Sequence, residues 1–126
     1  MLISIDRQSP RPAWQQVADE LCRLVATGAL GADEQIPSVR TLALELAINP
    51  NTIQKAYTSL EAAGITYAVA GVGRFVSPDA RGIIATRGQE RLAELQHSMS
   101  ELVQTGITQE QLLDTVQAAV TKGGQA

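Results

Sequence analysis

Two short segments set the tightest limit on how this chain can fold. They are Ile36-Pro37-Ser38-Val39-Arg40-Thr41-Leu42-Ala43 and Asn49-Pro50-Asn51-Thr52-Ile53-Gln54-Lys55-Ala56-Tyr57. Each opens on a small polar residue, Ser38 or Asn49, whose side-chain oxygen can accept a bond from a free backbone N–H at a helix start. Pro50 suits a first helical position, where no N–H is needed. Val39, Leu42, Ala43 and Leu46 recur at helical spacing through and just past the first segment, and Ile53, Ala56, Tyr57, Leu60 and Ala63 through and past the second. Two short amphipathic helices separated by a tight turn make a helix-turn-helix. A β-prone run from Ile65 to Val76 follows at once, with a turn at residues 70–73 that contains Gly71 and Gly73. Helix-turn-helix plus hairpin predicts a winged helix.

Upstream, Trp14, Val17, Ala18, Leu21, Leu24 and Val25 predict a helix from Ala13 to about Thr27, which Gly28 ends. Residues 2–5 alternate in polarity and predict a short strand, Ser9-Pro10-Arg11-Pro12 is an extended breaker, and Gly31 to Gln35 reads as a loop. Downstream, Ser77-Pro78-Asp79 starts another helix, whose first turns Gly82 and Gly88 weaken. Leu92, Leu95, Met99 and Leu102 then form a heptad-like seam, broken at Gly106. Thr108-Gln109-Glu110-Gln111 is a capping box with Ile107 as its hydrophobic staple. The last helix presents Leu112, Leu113, Val116, Ala119 and Val120. Lys122-Gly123-Gly124 ends it, and the final residues are expected to be disordered. The predicted fold is mainly α with a small β wing. An N-terminal winged helix-turn-helix, residues 1–77, precedes a C-terminal antiparallel helical pair, residues 78–126.

Composition narrows the class. A chain of 126 residues that is 44% hydrophobic can pack a core, but with only 3% aromatic residues that core must be aliphatic. No apolar run approaches the ~18 residues of a membrane span, and no secretory signal is visible. Cys22 is the single cysteine; beside Leu21 and Val25 it reads as a small buried hydrophobe, and the missing disulfide framework suits the cytosol. The net charge of −3 is unlike that of a nucleic-acid binder, yet it is unevenly spread. Residues 36–76 hold Arg40, Lys55 and Arg74 against only Glu45 and Glu61, so the helix-turn-helix and wing are the least acidic part. One such head should bind DNA modestly, and two on one duplex should bind well.

Several segments, in order and spacing, resemble the GntR family of bacterial transcription regulators. They are Pro12-Ala13-Trp14-Gln15-Gln16-Val17, Gly28-Ala29-Leu30, the two segments above, Leu60-Glu61, Gly64-Ile65 and Gly71-Val72-Gly73-Arg74-Phe75-Val76. The Asn49 segment and the short stretch after the wing are similar to the YtrA subfamily, which implies a two-helix dimerisation tail in place of a large effector domain. The chain departs at Asp33-Glu34, where a Gly-Asp pair is commoner, and at Ile36, where Leu is usual.

On the helix-turn-helix, Arg40 stands in the first turn of its helix, able to reach a phosphate or a guanine edge; the resemblance implies DNA contact, and a salt bridge to Glu45 or Glu61 is the alternative. Ser38 caps its helix and can donate to phosphate. Asn51, Thr52, Gln54 and Lys55 form an exposed face free of acidic residues: Asn and Gln can pair with adenine, Lys with phosphate or guanine. Gly71 and Gly73 give a wing tip without bulk for the minor groove, with Arg74 beside it. Tyr57 and Trp14 are placed as core, and His97 as a solvent-facing residue.

The expected function is a dimeric, sequence-specific DNA-binding regulator, a cytoplasmic repressor of an inverted-repeat operator. Leu92, Leu95, Met99, Leu102, Leu113, Val116 and Val120 are the expected dimerisation residues, since two helices bury little alone. The partners expected are double-stranded DNA and a second copy of the chain, with no membrane; a small-molecule effector is left open. A protein-docking winged helix is the alternative. No constellation of residues asks for catalysis, a cofactor or a metal.

Overall fold

The computed structural model describes residues 3–124. Its elements are α1 (Ala13–Ala26), β1 (Gln35–Ile36), α2 (Val39–Leu46), α3 (Pro50–Ala62), β2 (Thr66–Val69), β3 (Gly73–Val76), α4 (Ala80–Gln104) and α5 (Gln109–Gly124). They fall into two compact units, one reaching to Arg87 and the other starting at Gly88.

In the first unit α3 packs on both α1 and α2, and β2 follows it into a small sheet. The apolar stripes set by helical spacing meet there: Val17, Leu21, Leu42, Ile53, Tyr57, Leu60, Ile65 and Val76 are all buried. The caps form as their residue types require. Ser38 Oγ accepts from the Thr41 N–H at 3.1 Å, and Asn49 Oδ1 accepts from the Asn51 N–H at 2.8 Å. Between α2 and α3, Ala47 takes a left-handed conformation at φ 53°. The Arg7 guanidinium donates to the carbonyls of Leu46 (3.1 Å) and Ala47 (3.3 Å), where a helix C-terminus favours positive charge. Ala80 is buried in this unit, with Ile83 and Ile84 packed against its core.

The sheet is antiparallel with strand order β1-β3-β2. Thr66 faces Val76 and Val69 faces Gly73, so β2 and β3 make the expected hairpin. The third strand was not expected: Gln35 lies opposite Phe75 and Ile36 opposite Arg74, so the predicted loop ends in β1. Two residues carry no periodicity, and only the pairing with β3 defines them as a strand. Just before it, Asp33 holds φ 63°, in the region that favours glycine, and this is the position where the sequence departs from a commoner Gly.

Residues 3–5, by contrast, form no regular element and do not join the sheet, and Leu2 lies outside the described residues. Ile3 is buried and Ile5 partly so. The alternation that suggested a strand is met by packing on the helical core, and no partner strand is needed.

Helix α4 begins in the first unit and runs unbroken past Gly82 and Gly88 into the second, each glycine a cost of about 1 kcal/mol relative to Ala that the helix absorbs. The turn to α5 is tight: Gly106 holds φ 106°, and the Ile107 N–H donates to the Leu102 carbonyl at 3.0 Å. The capping box forms as written. The Gln111 N–H donates to Thr108 Oγ1 at 3.1 Å, and the Thr108 N–H donates to Gln111 Oε1 at 2.9 Å. Residues 125–126, where the disorder was expected, lie outside the described residues. The whole is mainly helical with a small antiparallel wing: a winged helix followed by two helices.

Candidate nucleic-acid interface

Three elements of the first unit carry the polar residues singled out above. At the start of α2, Ser38 is exposed; it accepts its capping bond and turns its own proton to Thr41 Oγ1 at 2.9 Å. Arg40, two residues on, is exposed and forms no ion pair among the described residues. The alternative partner Glu61 is held by another residue, and Glu45 lies free of it. A guanidinium with no ion-pair partner among the described residues, in the first turn of a helix, is available to an external anion.

On α3, Asn51, Gln54 and Lys55 are exposed and Thr52 is half-buried. Gln54 Nε2 donates to Thr58 Oγ1 at 3.2 Å, which lays its amide along the helix. The Lys55 ammonium sits 4.7 Å from the centre of the Trp14 ring on α1, a cation–π contact that holds it at the surface. The sequence placed Trp14 as core; it is half-buried and also presents its ring to Lys55.

The wing tip is closed by the Val72 N–H donating to the Val69 carbonyl at 3.0 Å. Gly71 holds φ 75° and Gly73 φ 149°. A Cβ at 73 would also displace the Gln35 side-chain amide from its place against the tip. That amide donates to the Val72 carbonyl at 3.2 Å, bracing the tip from β1. Gln35 was missed in the sequence because its role depends on the unforeseen strand. On the outer face Tyr67 and Phe75 stack at 5.5 Å, and the Tyr67 hydroxyl donates to Asp33 at 2.8 Å, which raises the phenol above its usual range.

Arg74 is the residue the structure places differently from its companions. Its Nε lies 2.5 Å from Glu61 Oε1, and its guanidinium carbon is 5.4 Å from the centre of the Tyr57 ring. Tyr57 is buried as expected, and its hydroxyl donates to the Pro37 carbonyl at 2.8 Å. Burial pushes that phenol well above its ordinary pKa, so it stays a donor. Glu61 had been considered only as a partner for Arg40; its place seven residues past Gln54 on α3 gave no hint of the wing.

The other titratable groups make no site. Cys22 is half-buried, and burial raises its thiol; His97 pairs with Glu101 one turn along an exposed helix face at 2.9 Å. Among the described residues no group of His, Cys, Asp and Glu could hold a metal, and no helix is long and apolar enough to cross a membrane. In the second unit Leu92 (57% exposed), Leu95, Leu102, Leu113 (58%), Val116 and Val120 (68%) face solvent, and Met99 is half-buried.

Comparison with known proteins agrees with this geometry. The sequence pattern of the bacterial regulatory proteins of the gntR family matches residues 13–76, from α1 through the wing. The chain is 29% identical to the HTH-type transcriptional repressor YtrA of Bacillus subtilis (strain 168), over 98% of either protein. A crystal structure of a transcriptional regulator from Oenococcus oeni is similar at a TM-score of 0.67 and 32% identity, covering 94% of this chain and 99% of that one. The AraR DNA-binding domain, solved in complex with operator ORX1, is similar at a TM-score of 0.56 and 28% identity, over 61% of this chain and 99% of that one.

Proposed function

The chain belongs to the gntR family of bacterial regulatory proteins and is a transcription regulator with a DNA-binding domain; from that premise we propose that it works as a cytoplasmic homodimer that represses transcription by seating two heads on an inverted-repeat operator. The observation that carries this is the exposed, acid-free N-terminal half of α3, together with the exposed Arg40, which has no ion-pair partner among the described residues. Arg40, Asn51, Gln54 and Lys55 all point outward from the N-terminal halves of the two helices. Residues 1–77 supply the head, and residues 78–126 the dimerisation tail.

In this arrangement the start of α3 enters the major groove, where Asn51 and Gln54 meet base edges. Thr52 and Lys55 take phosphates, Ser38 and Arg40 grip the backbone beside them, and Gly71 and Gly73 bring the wing's main chain to the minor groove. Residues Leu92, Leu95, Met99, Leu102, Leu113, Val116 and Val120 form the surface that a second chain covers. The repressor assignment is supported by the name of the Bacillus subtilis relative.

The test is to recover the genomic fragments the full chain retains and to measure their affinity from 50 to 200 mM salt. We expect a small set of fragments with a symmetric footprint, and affinity falling steeply with salt as phosphates are neutralised. Retention of no fragment at any salt would support the protein-docking alternative and end this proposal.

A further inference from the structure

Glu61, Arg74, Tyr57 and Pro37 form one chain of contacts, and it joins the three elements that the proposed interface uses. Tyr57 and Glu61 lie one turn apart on α3 and so share a face. Arg74, on the central strand of the wing sheet, lays its guanidinium against both: Nε on the Glu61 carboxylate at 2.5 Å, the cation over the Tyr57 ring at 5.4 Å. The Tyr57 hydroxyl then holds the Pro37 carbonyl at 2.8 Å, immediately before Ser38. Tyr57 is fully buried, whereas Arg74 and Glu61 keep 25% and 32% of their side chains exposed. The wing, the recognition helix and the start of α2 are thus tied through a single aromatic ring.

The direction of Arg74 matters as well. Glu61 is ten residues past Asn51 on α3, about 15 Å along the axis at 1.5 Å per residue. The guanidinium therefore rests over Tyr57 and Glu61, on the C-terminal side of the residues proposed to meet DNA. We infer that Arg74 is a positioning residue: with Glu61 and Tyr57 it fixes the angle between wing and recognition helix, so that both grooves are met at once, and it is not itself a DNA contact. This rests on the DNA-binding proposal above.

A double-mutant cycle on the full chain tests it, with the tightest fragment retained by the parent chain as probe. Arg74→Gln, Glu61→Gln and their combination are each measured for affinity, for the slope of log affinity against log salt, and by hydroxyl-radical footprint. The expected result has three parts. Each single change weakens binding about 3- to 10-fold, and the pair together no more than either alone, since both remove one brace. The salt slope stays at the parent value, because no phosphate contact is lost. Footprint protection by the wing fades while protection under α3 persists. Tyr57→Phe, which keeps the ring and removes only the hydroxyl, should weaken binding at the same slope.

A slope that falls by about one per head in Arg74→Gln makes Arg74 a phosphate contact and overturns the inference. Tighter binding by Glu61→Gln does the same, since Glu61 would then be withholding Arg74 from DNA. Additive or absent effects also overturn it. A parent chain that retains no fragment defeats the DNA-binding proposal and this inference with it; a parent that binds, with variants departing from the pattern, defeats the brace alone.

Discussion

The two compact units solve the same problem in opposite ways. Up to Arg87, Leu42, Ile53, Tyr57, Leu60 and Ile65 are all but removed from water. From Gly88 on, Leu92, Leu95, Leu102, Val103, Leu113, Val116 and Val120 remain exposed. Yet the local helix signals of the second unit are as good: a complete capping box, a glycine turn, a regular apolar seam. The difference lies in the number of layers. Three helices and a sheet can enclose a core, whereas two helices cannot cover both of their apolar faces. Under the proposed dimer, this exposed apolar surface is what a second chain covers.

The sharpest way to break this comparison is in the tail. Leu95→Asp or Leu102→Asp should convert a dimer to a monomer and lower operator affinity by about 10²- to 10⁴-fold, the gain that linking two heads provides. Sedimentation velocity and gel shift read both effects. A dimer that survives both changes places the interface elsewhere.

In the first unit, Leu42→Ala should cost about 2–5 kcal/mol of stability, as cavities in closed cores do. Leu113→Ala should cost far less in urea melts run below the dimer's dissociation concentration, where its site is exposed. Equal losses at the two sites would mean that the tail has a core of its own.

Arg40→Ala sharpens the contrast between packing and contact. It should leave the melt and the dimer unchanged and cost about 1.5–3 kcal/mol of binding per half-site, as losing a charged hydrogen bond to the backbone does. Affinity equal to the parent's removes Arg40 from the interface.

The smallest effect concerns the tail's local order. Thr108→Ala removes one half of the capping box and should cost about 0.5–2 kcal/mol, read as lost helicity by circular dichroism. An unchanged helix content would show that the Gly106 turn alone sets the start of α5.

Much of the molecule was legible before any coordinates. The caps at Ser38, Asn49 and Thr108, the stripes of α1 to α3, the hairpin and the tail seam are all short-range patterns, and local chemistry decides them. The polar face of Arg40, Asn51, Gln54 and Lys55 was legible for the same reason: once the buried stripe of a helix is known, its opposite face is known too.

What the sequence could not decide depends on partners distant in the chain. Strand β1 exists only because Gln35 and Ile36 meet Phe75 and Arg74. The alternation around Ile3 and Ile5 specified one buried side, and only the fold showed that the helical core, not a strand, would bury it. Arg74 and Glu61 are thirteen residues apart and Gln35 and Val72 thirty-seven, with nothing periodic to connect them. Sequence gives each charge its sign and its element. Which opposite charge it meets is set by how the elements pack, and that packing pairs Arg74 with Glu61.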